Sequence, residues 1–382
     1  MSGYIPLEVQ EEILKWLPVK PLVQFRSVSK TWKSLIDSPQ FFAAYGVRQT
    51  HPNRLILRYK DIIDSKKKYL TFVDNDNNTF IKQDFVPTVP SLIKTLARSN
   101  VVGSSRGLWC FNVCSKCRGK KIVVIWNPVI NKSIGIEIIF MCDYSSNIAA
   151  EFIGFGVCPV TLDPIIVKIE YLGRGNPWKV GVFTLSTGTW SIQSTNLLRK
   201  PYKLIGSQVV IDRFIYWLAY DFFGGENGKS RFVIILFDLT AKEFKEINVT
   251  GSLTNQLYWI RAISKLRESL VLLAYHKESE KDPPVRSLWK MKEQGISNSF
   301  RKLYTINLPH TRVKRLLGFR NTGDLILETK QKHKQRELGI YEPNSGAIDN
   351  LGIVGKDYSF MCCMETLLLH DQLDGFIYFT NN

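Results

Sequence analysis

Lys121-Ile122-Val123-Val124-Ile125-Trp126-Asn127-Pro128 is a run of β-formers closed by an aromatic residue and then by a turn pair that cannot continue a ladder. The same punctuation recurs along the chain. Phe72-Val73-Asp74 lies 54 residues before Trp126, and Phe183-Thr184-Leu185, Phe237-Asp238-Leu239, Trp289-Lys290-Met291 and Tyr341-Glu342-Pro343 follow at intervals of 57, 54, 52 and 52. Polar turns follow several of these aromatics, as in Asn75–Asn78, Ser186-Thr187-Gly188 and Asn344-Ser345-Gly346, and they suit hairpins.

Outward from Trp126, a second apolar series runs about 18 residues ahead of the first in each repeat. It comprises Leu55-Ile56-Leu57, Leu108-Trp109-Cys110, Ile165-Ile166-Val167, Ile215-Tyr216-Trp217, Val271-Leu272-Leu273 and Leu325-Ile326-Leu327. A further strand precedes most of these, at Ser207–Ile211, Trp259–Ile263 and Lys314–Phe319. Four short strands in a repeat near 50 residues are the pattern of a kelch-like β-propeller. A pair of β-sandwiches would leave six in-phase aromatics unexplained. Six blades are favoured, and seven follow if the last segment forms a partial blade of its own. The first repeat begins at Leu55 with no room for an upstream strand, so its open edge needs a donor. Phe360–Leu369, with Phe376–Phe379, is the expected one.

Residues 1–45 read differently. Pro6 and Pro18 bracket a helical pattern carrying Val9, Ile13, Trp16 and Leu17, and a second helix can run from Pro21 to Val28. Ser29 can cap a third helix with Trp32, Leu35 and Ile36 along one side, and Ser38-Pro39 can start a fourth bearing Phe41 and Phe42. So many large apolar residues exceed what 45 residues can bury among themselves, so part of this surface should meet a partner or the rest of the chain.

Ile5-Pro6-Leu7-Glu8, Ile13-Leu14, Leu17-Pro18-Val19-Lys20, Leu22, Phe25-Arg26-Ser27-Val28-Ser29-Lys30, Trp32, Leu35-Ile36 and Phe41 resemble an F-box in order and spacing. Ile5 stands where Leu usually precedes the proline, and Ser29 where Cys is common; neither alters the apolar pattern. The resemblance implies docking to the Skp-type adaptor of a cullin-RING (SCF) ubiquitin ligase, and through it to cullin and the RING protein. Its implied adaptor contacts are Ile5, Pro6, Ile13, Leu14, Leu17, Pro18, Leu22, Phe25 and Val28; Trp32 is expected to anchor the third helix, with a share in the interface as the alternative.

The repeats in turn resemble the F-box-associated domain of the large plant F-box family. The resemblance rests on Trp126-Asn127-Pro128, on Ile153-Gly154-Phe155-Gly156, and on Trp289 with Met291-Lys292-Glu293. The expected fold is therefore α+β and multidomain. An F-box occupies 1–45, a short connector 46–53, and an all-β kelch-like propeller 54–382. Such a chain is expected to be the non-catalytic substrate receptor of the ligase, presenting one protein for ubiquitylation and proteasomal degradation. The alternative is a propeller interaction protein, able to bind RNA, in a non-degradative adaptor complex.

The chain has 382 residues, with 51 Lys+Arg against 34 Asp+Glu and a formal net charge of +17. That surplus calls for an acidic partner. The loops between second and third strands of the repeats carry +11 of it, whereas residues 1–50 carry +2. The expected substrate face is a crescent of Lys67, Lys68, Lys116, Arg118, Lys120, Lys121, Arg174, Lys332, Lys334 and Arg336, receiving an acidic or phosphorylated protein segment. Basic loops near Trp178 and Phe222-Phe223 could stack bases, but no nucleic-acid motif is present and nucleic acid is set aside as partner.

No apolar run approaches the ~20 residues of a membrane span, so membrane attachment is not expected. The N-terminus lacks a basic segment followed by an apolar one, and seven Cys, with Cys362 and Cys363 adjacent, read as reduced thiols. A cytoplasmic or nuclear location is expected. Cys110, Cys114 and Cys117 beside Lys116 and Arg118 lack a fourth ligand nearby, and the five His fall in no metal or triad spacing. Neither cofactor, metal nor catalytic residue is expected.

Overall fold

The structure is a computed structural model. It describes residues 5–47, 53–75, 79–94, 98–114, 121–139, 141, 150–173, 176–195, 197, 202–221, 231–249, 259–276, 285–292, 300–308, 311–331 and 335–379. Helices gather at the N-terminus, and β-strands in several sheets make up most of the remainder. The chain divides into two compact units. One holds Met1–Ile56, Leu70–Ile138 and Met361–Phe379; the other holds Leu57–Tyr69, Ile139–Phe360 and Thr380–Asn382.

In the first unit, four helices follow the proline and serine punctuation: α1 (Leu7–Leu14), α2 (Val19–Phe25), α3 (Lys30–Ile36) and α4 (Pro39–Val47). Ser29 Oγ accepts the Trp32 N–H at 3.1 Å and Ser38 Oγ the Phe41 N–H at 3.2 Å, so each serine satisfies an orphan donor of the helix it opens. Helix α2 starts before Pro21 and stops at Phe25, short of the expected Val28. Its first turn can begin at Val19 because Glu365 Oε2 accepts the Val19 N–H at 2.9 Å. Its end tightens into i→i+3 bonds, Ser27 to Gln24 and Val28 to Phe25.

The helical core consists of Leu14, Val19, Leu22, Ile36, Phe41 and Tyr45, completed by Leu367 and bordered by Val129 and Ile130. Leu367 comes from the far end of the chain and Val129-Ile130 from the turn after Trp126. The helices are therefore not packed on themselves alone. The same unit contains β4 (Arg98–Ser105), β5 (Leu108–Cys114), β6 (Lys121–Asn127) and β7 (Lys132–Glu137) as an antiparallel meander, and a short α5 (Ser91–Lys94). Trp109 and Trp126 face each other in register on β5 and β6, fully buried, with rings edge-on at 5.5 Å. A short strand, β24 (Phe376–Tyr378), adds to β7 in parallel.

The second unit contains three four-stranded antiparallel sheets. They are β8 (Ala150–Val157) to β11 (Thr189–Ser194), β12 (Tyr202–Ile211) to β15 (Glu243–Asn248), and β16 (Trp259–Leu266) to β19 (Phe300–Ile306). Within them lie β9 (Pro164–Tyr171), β10 (Lys179–Thr184), β13 (Phe214–Asp221), β14 (Arg231–Asp238), β17 (Ser269–His276) and β18 (Val285–Met291). A further sheet runs β20 (Thr311–Phe319), β21 (Leu325–Gln331), β22 (Arg336–Tyr341), β23 (Ile348–Cys363), then β1 (Asn53–Asp61) and β2 (Lys67–Asp74). The end of β2, in the first unit, pairs with β3 (Phe80–Gln83). Successive sheets of the second unit share cores. Val167, Trp217 and Phe237 occupy one, Tyr216, Leu272 and Trp289 the next, and Leu273, Leu327 and Tyr341 the third.

Strand β23 is sixteen residues long and lies between β22 and β1, so one strand serves both the last repeat and the first. The expected donor segment is corrected by this arrangement. The donor reaches from Ile348 only to Cys363, and Phe376–Tyr378 goes to β7 instead. A strand already pairing with β22 needs only to continue past Val354 to reach β1, whereas a separate donor would first have to be brought back to that edge.

Candidate functional site

Helix α1 and the residues flanking it send apolar side chains both inward and outward. Leu14 goes inward, 2% exposed. Ile5, Val9, Ile13 and Trp16 recur at intervals of four, four and three, and they face outward with exposures of 50, 48, 50 and 69%. Val28 joins them at 63%, and Pro6 and Pro18 are also exposed. Covering such side chains contributes about 1.5–3 kcal/mol each at full burial, so an aligned set of exposed ones is a candidate binding face.

Of the nine expected adaptor contacts, Ile5, Pro6, Ile13, Pro18 and Val28 lie at the surface, and Leu17 and Phe25 are half-buried. Leu14 and Leu22 are corrected: both side chains are sealed in the helical core and present no surface to a partner. Val9 and Trp16, which are not among the nine, are exposed at the same spacing as Ile5 and Ile13. Trp32 does anchor its helix, with Nε1 donating to Gln10 Oε1 at 2.6 Å and its ring 5.3 Å from that of Phe25. Gln10 in turn donates from Nε2 to the Ile5 carbonyl at 2.7 Å, which ties the entry segment to α1.

The C-terminal segment holds these helices. Asp37, closing α3, accepts from Arg26 Nε at 2.6 Å and Nη2 at 2.9 Å, and it contacts His370 Nε2 at 2.8 Å. Burial works against ionisation of Asp37, but its bonds to Arg26 and His370 prevail and hold the carboxyl below its ordinary range. The Phe42 and His370 rings lie 4.9 Å apart. On the other side, Asn127 Nδ2 donates to the Thr366 and Leu368 carbonyls, both at 2.9 Å, while its Oδ1 accepts the Val129 N–H at 3.1 Å. Asp374 accepts from the Ser133 N–H and hydroxyl, and Lys132 donates to the Gln372 carbonyl. The Trp-Asn-Pro turn is therefore the anchor of the segment that braces the helices.

Of the expected basic crescent, Lys116, Arg118, Lys120, Arg174, Lys332 and Lys334 lie outside the described residues. Lys68 is already engaged: its Nζ is 2.6 Å from Asp61 Oδ2 and 3.4 Å from Asp64 Oδ2, with the side chain 42% exposed. Lys67 is exposed, and burial first, then Arg58 and Lys60, lower its ammonium pKa. Arg336 donates from Nη1 to the buried Glu328 at 2.9 Å but remains 47% exposed. Lys121 is half-buried at the start of β6, in the other unit.

Trp178, considered for base stacking, is packed edge-on against Phe244 in the core, and Phe222-Phe223 lie outside the described residues. Cys110 is fully buried, and burial pushes its thiol well up rather than toward thiolate. Cys117 lies outside the described residues, among which no three metal-ligating side chains come together. Among the same residues, no helix is long and apolar enough to cross a membrane.

Comparison with known proteins agrees with this organisation. Residues 4–43 match the F-box domain family and residues 58–379 the F-box associated beta propeller domain family. Putative F-box protein At4g38870 of Arabidopsis thaliana is 24% identical over 367 residues, covering 89% of this chain and 79% of that protein. F-box protein CPR1 of the same plant is 26% identical over 357 residues, covering 87% and 79%. Putative F-box protein At3g16210 is 27% identical over 248 residues, 65% of this chain and 61% of that protein.

Proposed function

The chain belongs to the F-box proteins that carry an F-box associated beta propeller domain, and on that premise we propose that it is the substrate-recognition subunit of an SCF ubiquitin ligase. The observation that carries this reading is the exposed series Ile5, Val9, Ile13 and Trp16, along α1 and just beyond each of its ends, while Leu14 fills the helical core. That series, with Pro18 and Val28, is the surface for a Skp-type adaptor, and through it for cullin and the RING protein.

The division proposed is helices 1–45, connector 46–53 and propeller 54–382. The six repeats are read as six blades, supported by β23 serving both the last repeat and the first. The propeller presents a protein substrate of acidic or phosphorylated character. The chain supplies no catalytic group. It raises the effective concentration of substrate lysines beside the ubiquitin-loaded enzyme, converting a bimolecular encounter into a near-intramolecular one. The work is expected in the cytoplasm or nucleus.

Co-purification with a Skp-type adaptor tests the reading. Ile13→Asp should abolish capture and leave the melting temperature unchanged, because the side chain it replaces faces outward. Capture undiminished by Ile13→Asp together with Val9→Asp would refute it.

A further inference from the structure

Three strands of the second unit bring three cations into one row. Arg312 on β20 is the cross-strand partner of Lys330 on β21, and Lys330 is the partner of Arg336 on β22. Cross-strand partners point to one face, and strands lie about 4.8 Å apart, so the row spans about 10 Å. All three side chains are exposed. The register steps between Val313 and Arg315, placing Lys314 in a bulge beside the row. Burial first, then Arg312, Arg336 and Lys330, hold the Lys314 ammonium below the ordinary lysine range, against the opposing influence of Glu328.

Like charges directly opposite one another destabilise a sheet. The described carboxylate bound into the group is Glu328, itself fully buried and engaged with Arg336 at 2.9 Å. Four cations against that single carboxylate leave an excess of three positive charges on a small face. A carboxylate side chain would offset one of them. A phosphoryl group carries about −1.5 to −2 charges and three acceptor oxygens, which suits two guanidinium forks with a lysine between them. A nucleic acid would call for a longer basic track interleaved with exposed aromatics; the row is short and has no aromatic member.

We propose that the Arg312–Lys330–Arg336 row, with Lys314 beside it, receives a phosphoryl group borne on a segment of the substrate protein. This rests on the substrate-receptor reading and narrows its acidic or phosphorylated substrate to a phosphorylated one. It also moves the contact from the loops to the strand ends of the last repeat.

The test uses the full chain purified with a Skp-type adaptor and a degenerate phosphoserine and phosphothreonine peptide library, split and half treated with phosphatase. Phosphorylated peptides should be retained at least tenfold over their dephosphorylated counterparts. Arg312→Glu with Lys330→Glu should remove that preference while leaving adaptor capture and melting temperature unchanged; Arg336 is left intact because its removal would strand Glu328. Retention that is absent, indifferent to phosphatase or unaltered in the double variant overturns the proposal, as does displacement of bound phosphopeptide by RNA at lower concentration than by unlabelled phosphopeptide. In each of those outcomes adaptor capture persists if the receptor reading holds, and its loss from the unmodified chain would overturn that reading instead.

Discussion

The side-chain amide of Gln208 completes the backbone of Phe155: Nε2 donates to the Phe155 carbonyl at 2.5 Å, and Oε1 accepts its N–H at 2.7 Å. Phe155 lies on β8, the edge strand of its sheet, so these two groups face away from β9. Gln208 reaches them from the bulge between Ile205 and Val209 in β12, where Gly206 takes φ +76°. The glycines on either side of Phe155 permit the approach. A Cβ on Gly154 would stand 2.4 Å from the Trp217 ring, and one on Gly156 2.6 Å from Leu239. Gln208→Met strands a buried donor and acceptor together. It should cost about 2 kcal/mol or more, measured as a lower unfolding midpoint, and it should raise hydrogen exchange at Phe155.

Asn127 offers a cleaner separation. Asn127→Asp keeps the oxygen that accepts from the Val129 N–H and removes the donor to Thr366 and Leu368. The turn should survive, as the equivalent turn does with Asp238, whose Oδ1 accepts from the Thr240 and Ala241 N–H groups. The segment around Thr366–Leu368 should then exchange its amide hydrogens faster while β5 and β6 remain protected. Uniform protection in both places would contradict an anchoring role for this side chain.

Acid should loosen the brace at Asp37. The folded-state pKa is lowered, so ionised Asp37 stabilises the fold above its ordinary value of 3.8, and that contribution disappears as pH falls below it through the folded value. Urea unfolding of the unmodified chain and of Asp37→Asn should differ at neutral pH and converge as pH falls through that range. A stability gap that stays constant to the acid end would contradict this assignment.

A buried ion pair gives the fourth expectation. Lys168 and Glu170 on β9 are both fully buried, with Nζ 2.6 Å from Oε1; Lys168 also donates to the Ile139 carbonyl, and Glu170 accepts the Met141 N–H at 3.2 Å. Lys168→Met removes the cation 2.6 Å from a fully buried carboxylate and should cost about 3–5 kcal/mol. Adding Glu170→Gln should recover part of that loss, since it removes the buried negative charge. Thermal unfolding of the single and double variants measures both.

The sequence made some features legible because they are local. Ser29 and Ser38 cap where their neighbours require it, and the in-phase aromatics from Phe72 to Tyr341 mark the strands. Which side of α1 faces inward was not legible, because Ile13 and Leu14 are equally apolar and both fall at helical spacing. The partners of Asn127 lie more than 200 residues away, and no neighbouring residue announces them. Counting charge by loop gave no sign of the strand residues that engage Lys68 and Arg336. Asp61 and Glu328 project from β1 and β21 and pair with them.

The helical core at the start of the chain needs Leu367, and the Val19 N–H needs Glu365, separated from it by 346 positions. At about 5–20 residues per second, translation supplies Glu365 roughly 17–70 s after Val19. A nascent or prematurely terminated chain therefore has its first module unfinished throughout that interval. The order of synthesis thus makes the helical core at the start of the chain one of the last parts to be completed.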